Sequence, residues 1–209
     1  MRQADFPYLP KDFVQTKDGL MFAVVSYHPH QHKVGCFLRY VMHGEHWHKV
    51  DTEQANRLLA RHHPQYLFKS KQFDAEFHAV DVDDIIGHHR PEQRLQSLLV
   101  ANNPADEIEE KLFRLVTILV QSGVDSDFLG LTGSMLIGQQ KPTSDIDLVL
   151  YGREVFHQTR ETVRQAVASG LLDELDLSLM RDNFNRRGGE LSFEEFAWHE
   201  SRKFNKAAI

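Results

Sequence analysis

The chain has 209 residues, 41% of them hydrophobic and 26% charged, which suits one large or two small domains with a real core and excludes disordered, collagen-like and coiled-coil classes. Thirty acidic against twenty-four basic residues leave a net charge of −6, which argues against a general nucleic-acid binder that relies on a basic surface. One cysteine, Cys36, excludes an internal disulfide framework or a zinc site built from several thiolates, and fits a reducing cytoplasm. The N-terminal segment MRQADFPYLPKDF has no continuous apolar stretch and does not read as an export signal. The longest apolar run, LFRLVTILV, is interrupted by Arg114 and falls well short of the roughly 18 residues of a membrane span.

Residues 12 to 50 carry short β-branched and aromatic runs, DFVQT, LMFAVVSY and VGCFLRYVM, separated by the turn Lys17-Asp18-Gly19 and the polar link HPHQHK. They predict two or three antiparallel strands. Asp51-Thr52-Glu53 starts a short helix through Ala55, Leu58 and Leu59 that ends near His63-Pro64, because proline disfavours helix at the residue before it. An extended stretch over 66 to 86 returns to the sheet. A helix begins at Pro91, with Leu95, Leu98 and Leu99 on one face, and breaks at Asn102-Asn103-Pro104. These residues, 1–104, form an expected β-rich N-terminal module.

From Asp106 the spacing of Ile108, Leu112, Leu115 and Leu119 marks an amphipathic helix ending at Ser122-Gly123. A short strand FLGLTG, a turn SMLIG, a loop QQKPTS and the strand DIDLVLYG follow. A helix then runs over 153 to 169 with Val155, Thr159, Val163 and Ala166 on one face. Two more helices, 171 to 184 and 192 to 204, flank the turn Arg186-Arg187-Gly188-Gly189, and Ser192 to Glu195 fits a capping box. The expected class is α+β, with residues 105–209 forming a small mixed sheet flanked by helices.

The chemistry concentrates in GLTGSMLIGQQKPTSDIDLVLYG. Alternation along a strand places Asp145 and Asp147 on one side, roughly 6 to 7 Å apart, with Ile146, Leu148 and Leu150 directed into the core. Two like charges this close repel, and aspartate is a poor strand former, so the pair implies a cation between its oxygens; hard oxygen ligands favour Mg²⁺. Upstream, Gly133-Ser134 lets backbone approach an anion closely, a candidate phosphate cradle. The ten residues Met135 to Ser144 suffice to bring cradle and carboxylates together.

A Gly-Ser pair, a spacer of about ten residues and Asp-hydrophobic-Asp-hydrophobic resemble the defining motif of the DNA polymerase beta-like nucleotidyltransferases. The segments DFVQTKDGLMFAVV, FLRYV, HHRPEQRL and SFEEFAWHESRKFN extend a more diffuse resemblance to a family of uncharacterised members of that superfamily. The resemblance implies transfer of a nucleoside monophosphate from an NTP, ATP included, to an acceptor hydroxyl. Asp145 and Asp147 would hold Mg²⁺ or Mn²⁺, and Gly133 and Ser134 the β and γ phosphates. Lys141 and Ser144, in the loop beside the site, are added as triphosphate contacts. The acceptor is open: a small molecule, an RNA end or a protein hydroxyl, recognised by the N-terminal module. Members of the superfamily carry a third carboxylate on a later strand, and the resemblance places that strand beyond SRKFNKAAI. Asp176, in ELDLSL, mimics a strand acid, but the resemblance puts it in a helix. The alternative is therefore a catalytically inactive nucleotide-binding or regulatory module.

Three further features have weaker chemistry. His28, His30, His32, His43, His46 and His48 fall in two neighbouring loops, where a transition-metal site is one reading and exposed loop histidines the commoner one. Arg202 and Lys203 face either a triphosphate or solvent on an amphipathic helix that turns Phe193, Phe196 and Phe204 inward. Cys36 reads as a small buried hydrophobe.

Overall fold

The computed structural model describes residues 6–71, 73–187 and 189–209. Residues 1–5 of the N-terminal segment and Gly188 of the expected turn lie outside the described residues. The α+β class is as the sequence indicates. Contacts divide the chain into two compact units, one of residues 1–97 with 130–149, the other of 98–129 with 150–209.

The first unit is built on an antiparallel sheet with four strands over residues 12–50, where two or three are expected, and the stretch from 66 returns to that sheet as three more. Strands β1 (Phe13–Thr16), β2 (Leu20–Val24), β3 (Lys33–His43), β4 (His46–Lys49), β5 (Leu67–Ser70), β6 (Ala75–Asp81) and β7 (Ile85–His89) pair in the order β5-β6-β3-β2-β1-β7, with β4 also on β3. The sheet is wide because β3 is eleven residues long and serves β2, β4 and β6 as partners. Side-chain alternation gives it two dissimilar faces. One face buries Val14, Leu20, Phe22, Val24, Val34, Cys36 and Leu38 against Ala55 and Leu59 of helix α1 (Thr52–His62). Asp51 and Gln54 close a capping box at the start of α1 (2.8 and 3.0 Å), and a 3₁₀ turn follows from Pro64. Cys36 is fully buried in this core, and burial pushes its thiol pKa up, so it is an inert small hydrophobe.

The other face carries a smaller cluster: Phe13, Met21 and Tyr40 pack with Leu136, and Ala23, Trp47 and Ile137 line its edge. Leu136 and Ile137 belong to the 3₁₀ turn Gly133–Ile137, which is thereby seated on the N-terminal sheet. Two hydrogen bonds fasten it. Thr132 Oγ1 donates to the Lys11 carbonyl (2.8 Å) across 121 residues, and Arg94 Nε donates to the Met135 carbonyl (3.1 Å). Arg94 lies on α2 (Pro91–Ala101).

The short strands β8 (Leu129–Thr132) and β9 (Asp147–Leu150) form a separate two-stranded ladder. The strand expected from Asp145 begins at Asp147, because the loop closes only at Ser144 and the first aspartate still belongs to its exit. Leu148 and Leu150 are half-buried, not core residues.

The second unit is helical. Helix α3 (Glu107–Gln121), capped by Asp106, buries Ile108, Leu112, Val116 and Leu119, so Val116 takes the place on the stripe expected of Leu115. Helix α4 (Arg153–Ala168) buries Thr159, Thr162 and Ala166, the second of these in place of Val163. The helix expected from 171 begins later, as α5 (Leu177–Arg187), and takes in Arg186 and Arg187. The delay follows from one distant and one local set of bonds: Asp173 bridges Ala208, and Asp176 Oδ1 accepts from Leu179 N–H (2.8 Å) and the Ser178 hydroxyl (2.7 Å), so Asp176 caps α5. Helix α6 (Phe193–Ser201) starts at the expected Ser192–Glu195 capping box. Among the described residues no helix is long and apolar enough to cross a membrane.

Candidate active site

Gly133 adopts φ +70°, a left-handed conformation in which a side chain is strained. A β-carbon at this position would stand 2.6 Å from Asp147 Oδ2, so only glycine lets the carboxylate lie against the backbone that opens the turn. The two halves of the sequence motif, Gly133-Ser134 and Asp147, separated by the twelve residues Met135 to Ile146, therefore meet. The spacer turns back tightly: Gln139 N–H donates to the Ser134 carbonyl (2.9 Å), and Gly138 ends the turn at φ +65°. Lys141 N–H donates to Ser144 Oγ and Ser144 N–H to the Lys141 carbonyl, both 2.8 Å. The Ser144 hydroxyl thus closes the loop, and the Lys141 side chain projects from an exposed corner of it.

The electrostatics single out Asp147. It keeps contact with solvent, yet the protein around it raises its carboxyl pKa, first by desolvation and second by the charge of Asp145. Three cations oppose that shift: Lys11, Lys49 and Arg39. Tyr40 also feels Asp147, its phenol being raised by burial first and by that carboxylate in smaller part. Among the described residues neither Asp145 nor Asp147 accepts a hydrogen bond or lies within 4 Å of a cationic nitrogen. Two mutually repelling carboxylates without donors are a hard-oxygen set, and a divalent ion would relieve both their repulsion and their lack of partners, so these residues fit Mg²⁺ or Mn²⁺.

Lys11, Arg39 and Lys49 were not singled out by sequence reasoning. The only available signal was local: an arginine interrupting the apolar run FLRYVM. Their approach to Asp147 depends on the strand ladder, which composition does not reveal.

The histidines do not converge. His30 is buried among Phe68, Phe73 and Phe77, its Nε2 3.0 Å from the Ser26 hydroxyl, and burial lowers its pKa. His43 and His48 meet edge to face, with ring centroids 5.2 Å apart. His32 instead joins Asp81 and Asp83, their ligand atoms within 4.8 Å of one another; among the described residues this is the one group of three or more that could hold a metal ion. It is open to solvent, and Lys33 already stands 3.8 Å from Asp81. Arg202 lies over the Trp198 ring (3.1 Å), and Lys203 hydrogen-bonds Glu200, so both have partners on their own helix region. Phe196 is buried, while Phe193 and Phe204 are half-buried.

Comparison with known proteins agrees with the geometry. The chain is 29% identical to an uncharacterized protein of Methanocaldococcus jannaschii over 95% of its own length, and spans 64% of the length of that relative. No solved structure matches the chain. The family model described as a nucleotidyltransferase domain matches residues 98–204, just over half of the chain, and spans both Gly133-Ser134 and Asp145-Ile146-Asp147. On that match, and on the motif it contains, the chain belongs to the nucleotidyltransferase domain family, of the DNA polymerase beta-like kind.

Proposed function

We propose that the chain is a divalent-metal-dependent nucleotidyltransferase that moves a nucleoside monophosphate from an NTP to an acceptor hydroxyl. The observation that carries this reading is the Asp147 carboxylate lying against the Gly133 backbone while sharing its surroundings with Asp145, neither side chain having a donor among the described residues. In the reaction the acceptor oxygen bonds to the α-phosphorus, the bond from that phosphorus to the bridging oxygen breaks, and pyrophosphate leaves with the electron pair. The acceptor proton passes to solvent or to a carboxylate. Asp145 and Asp147 would hold the divalent ion, which would supply charge neutralisation at the phosphates and favour ionisation of the acceptor hydroxyl. Gly133 and Ser134 offer backbone to the β and γ phosphates, and Lys141 reaches the same anion from the loop that Ser144 closes. Residues 105–209 supply the carboxylates in this reading, and the N-terminal module lies on the acceptor side.

A second reading is a nucleotide-binding module without turnover. It is favoured by Asp176, which is spent in capping α5, and by the fact that among the described residues no third carboxylate, histidine or thiol groups with Asp145 and Asp147.

Pyrophosphate release from each of the four NTPs, with Mg²⁺ or Mn²⁺ and cell extract as acceptor source, separates the two readings. Release that falls to background in both Asp145→Ala and Asp147→Ala, with unchanged circular dichroism, supports the transferase. Equal release by the variants refutes it. NTP binding without release by the wild-type chain selects the module.

A further inference from the structure

Strand β3 contains a bulge. Its ladder with β2 pairs Phe22 with Leu38 and Met21 with Tyr40, so Arg39 is the extra residue. Before the bulge, Val34, Cys36 and Leu38 enter the main core while Phe37 stands on the opposite, exposed face. Alternation carries Arg39 to that opposite face, and the bulge adds Tyr40 beside it, where Tyr40 packs on Leu136 of the Gly133 turn. Lys49 is directly opposite Tyr40 in the β3–β4 ladder and therefore shares its face.

Lys11 reaches the same place by another route. It is held at φ +81°, rare for a residue with a side chain, by its N–H to the Val24 carbonyl (3.0 Å) and by Thr132 Oγ1 on its own carbonyl (2.8 Å). Thr132 immediately precedes Gly133. Lys11 is thus a strained residue fixed from both sides beside the candidate site. Among the described residues, none of Lys11, Arg39 and Lys49 has a carboxylate within 4 Å or a side-chain hydrogen bond. Three cations without close partners in a chain of net charge −6 leave a local positive excess even against Asp145 and Asp147, and a bound divalent ion would enlarge it.

We infer that Lys11, Arg39 and Lys49 form a wall that binds phosphoryl oxygens beside Asp145 and Asp147, either those of the nucleotide's triphosphate or those of a phosphorylated acceptor. The inference deepens the transferase reading and rests on it. It makes the N-terminal sheet part of the active site, although the matched family region begins only at residue 98. The guanidinium supplies a fork suited to phosphate and the two ammonium groups supply point charges.

The test uses the full chain with Arg39→Gln combined with Lys49→Gln, and separately Lys11→Asn, which removes the charge while tolerating the left-handed backbone. Arg57→Gln, on the exposed surface of α1, is the control matched in charge to Lys11→Asn, and Arg57→Gln combined with Arg61→Gln is matched to the double variant. Calorimetry measures binding of inorganic pyrophosphate and of an NTP analogue with a non-cleavable α–β bridge. Steady-state assays measure how release depends on NTP and on extract. Each lost charge-assisted contact is expected to weaken its ligand about tenfold. A weaker NTP analogue and a raised NTP KM assign the wall to the triphosphate. Unchanged NTP binding, with a raised requirement for extract and loss of acceptor after phosphatase treatment of the extract, assigns it to the acceptor. Affinities and dependences equal to those of the wild type and of Arg57→Gln overturn the wall. Its failure is distinct from that of the parent reading: absence of Asp145-dependent release alongside pyrophosphate binding lost in the double variant sinks the transferase and leaves the wall.

Discussion

The sheet unit and the helical unit are held together by different forces. In the sheet unit Val14, Phe22, Val34, Cys36 and Leu59 are inaccessible to solvent and make one apolar core, and the buried His78 ring there is hydrogen-bonded at both nitrogens. In the helical unit, Leu177 is 70% exposed and Trp198 57%, and charges do much of the holding over α5 and α6. Arg181 lies over the Phe193 ring (3.8 Å), and Glu200 gathers Arg187, Lys203 and Lys206. The Gly133–Ile137 turn of the candidate site is mounted on the first kind of structure. Rigid packing suits a constellation that must hold two like charges against one backbone, and the sheet supplies that rigidity where short helices with exposed flanks do not.

The strongest test of this contrast is a cavity. Phe22→Ala, at a position with no solvent exposure, is expected to destabilise the chain by about 3–5 kcal/mol in a denaturant titration, whereas Trp198→Ala should cost under about 1 kcal/mol. Equal effects would mean that the sheet core is not the dominant source of stability.

The next effect concerns a buried polar pair. Leu38 N–H donates to His78 Nδ1 (2.9 Å) and His78 Nε2 donates to Asn56 Oδ1 (2.8 Å), an arrangement that requires a neutral ring. Burial accordingly lowers the His78 pKa below 6.5. The unfolded chain then binds the extra proton between those two values, so this stability is complete above about pH 6.5 and is lost as pH falls through the folded value. His78→Ala is expected to cost about 1–3 kcal/mol at pH 7 by stranding the Leu38 amide, and to flatten the pH dependence of unfolding just below pH 6.5. An unchanged slope would show that another group titrates there.

The smallest effect belongs to the helical unit. Desolvation acts to raise the Glu200 carboxyl, but hydrogen bonds from Lys203 and Lys206 prevail and bring it to about 2, against an ordinary 4.5. Its contribution is present above about pH 4.5 and disappears as pH falls to about 2. Because the partner cations are partly in solvent, Glu200→Gln should cost only about 1 kcal/mol at pH 7, with the difference from wild type vanishing by about pH 2 and shrinking in high salt. A salt-insensitive difference would remove charge pairing as its cause.

Much of this was readable residue by residue. The helix starts at Asp51, Pro91, Asp106 and Ser192 follow from side chains that bond or complement their own first turn, and such contacts need no distant partner. The Gly133-Ser134 and Asp145-Asp147 motif was equally legible, because glycine freedom and paired carboxylates are properties of the residues themselves. The delayed start of α5 was not, since Asp173 takes its partner from Ala208, thirty-five residues on. Nor was the fate of His30 and His32, which entered an aromatic cluster and an acidic pair according to where β6 placed its side chains.

Sequence alone determined the α+β class and most helix boundaries and picked out the candidate carboxylates Asp145 and Asp147, because propensity, capping and alternation act over a few neighbours. Tertiary structure decided that the Gly133 turn rests on the N-terminal sheet, and that Lys11, Arg39 and Lys49 act on Asp147. That outcome depends on strand order, one bulge and a hydrogen bond spanning 121 residues, and long-range register is set by the packing of the whole sheet.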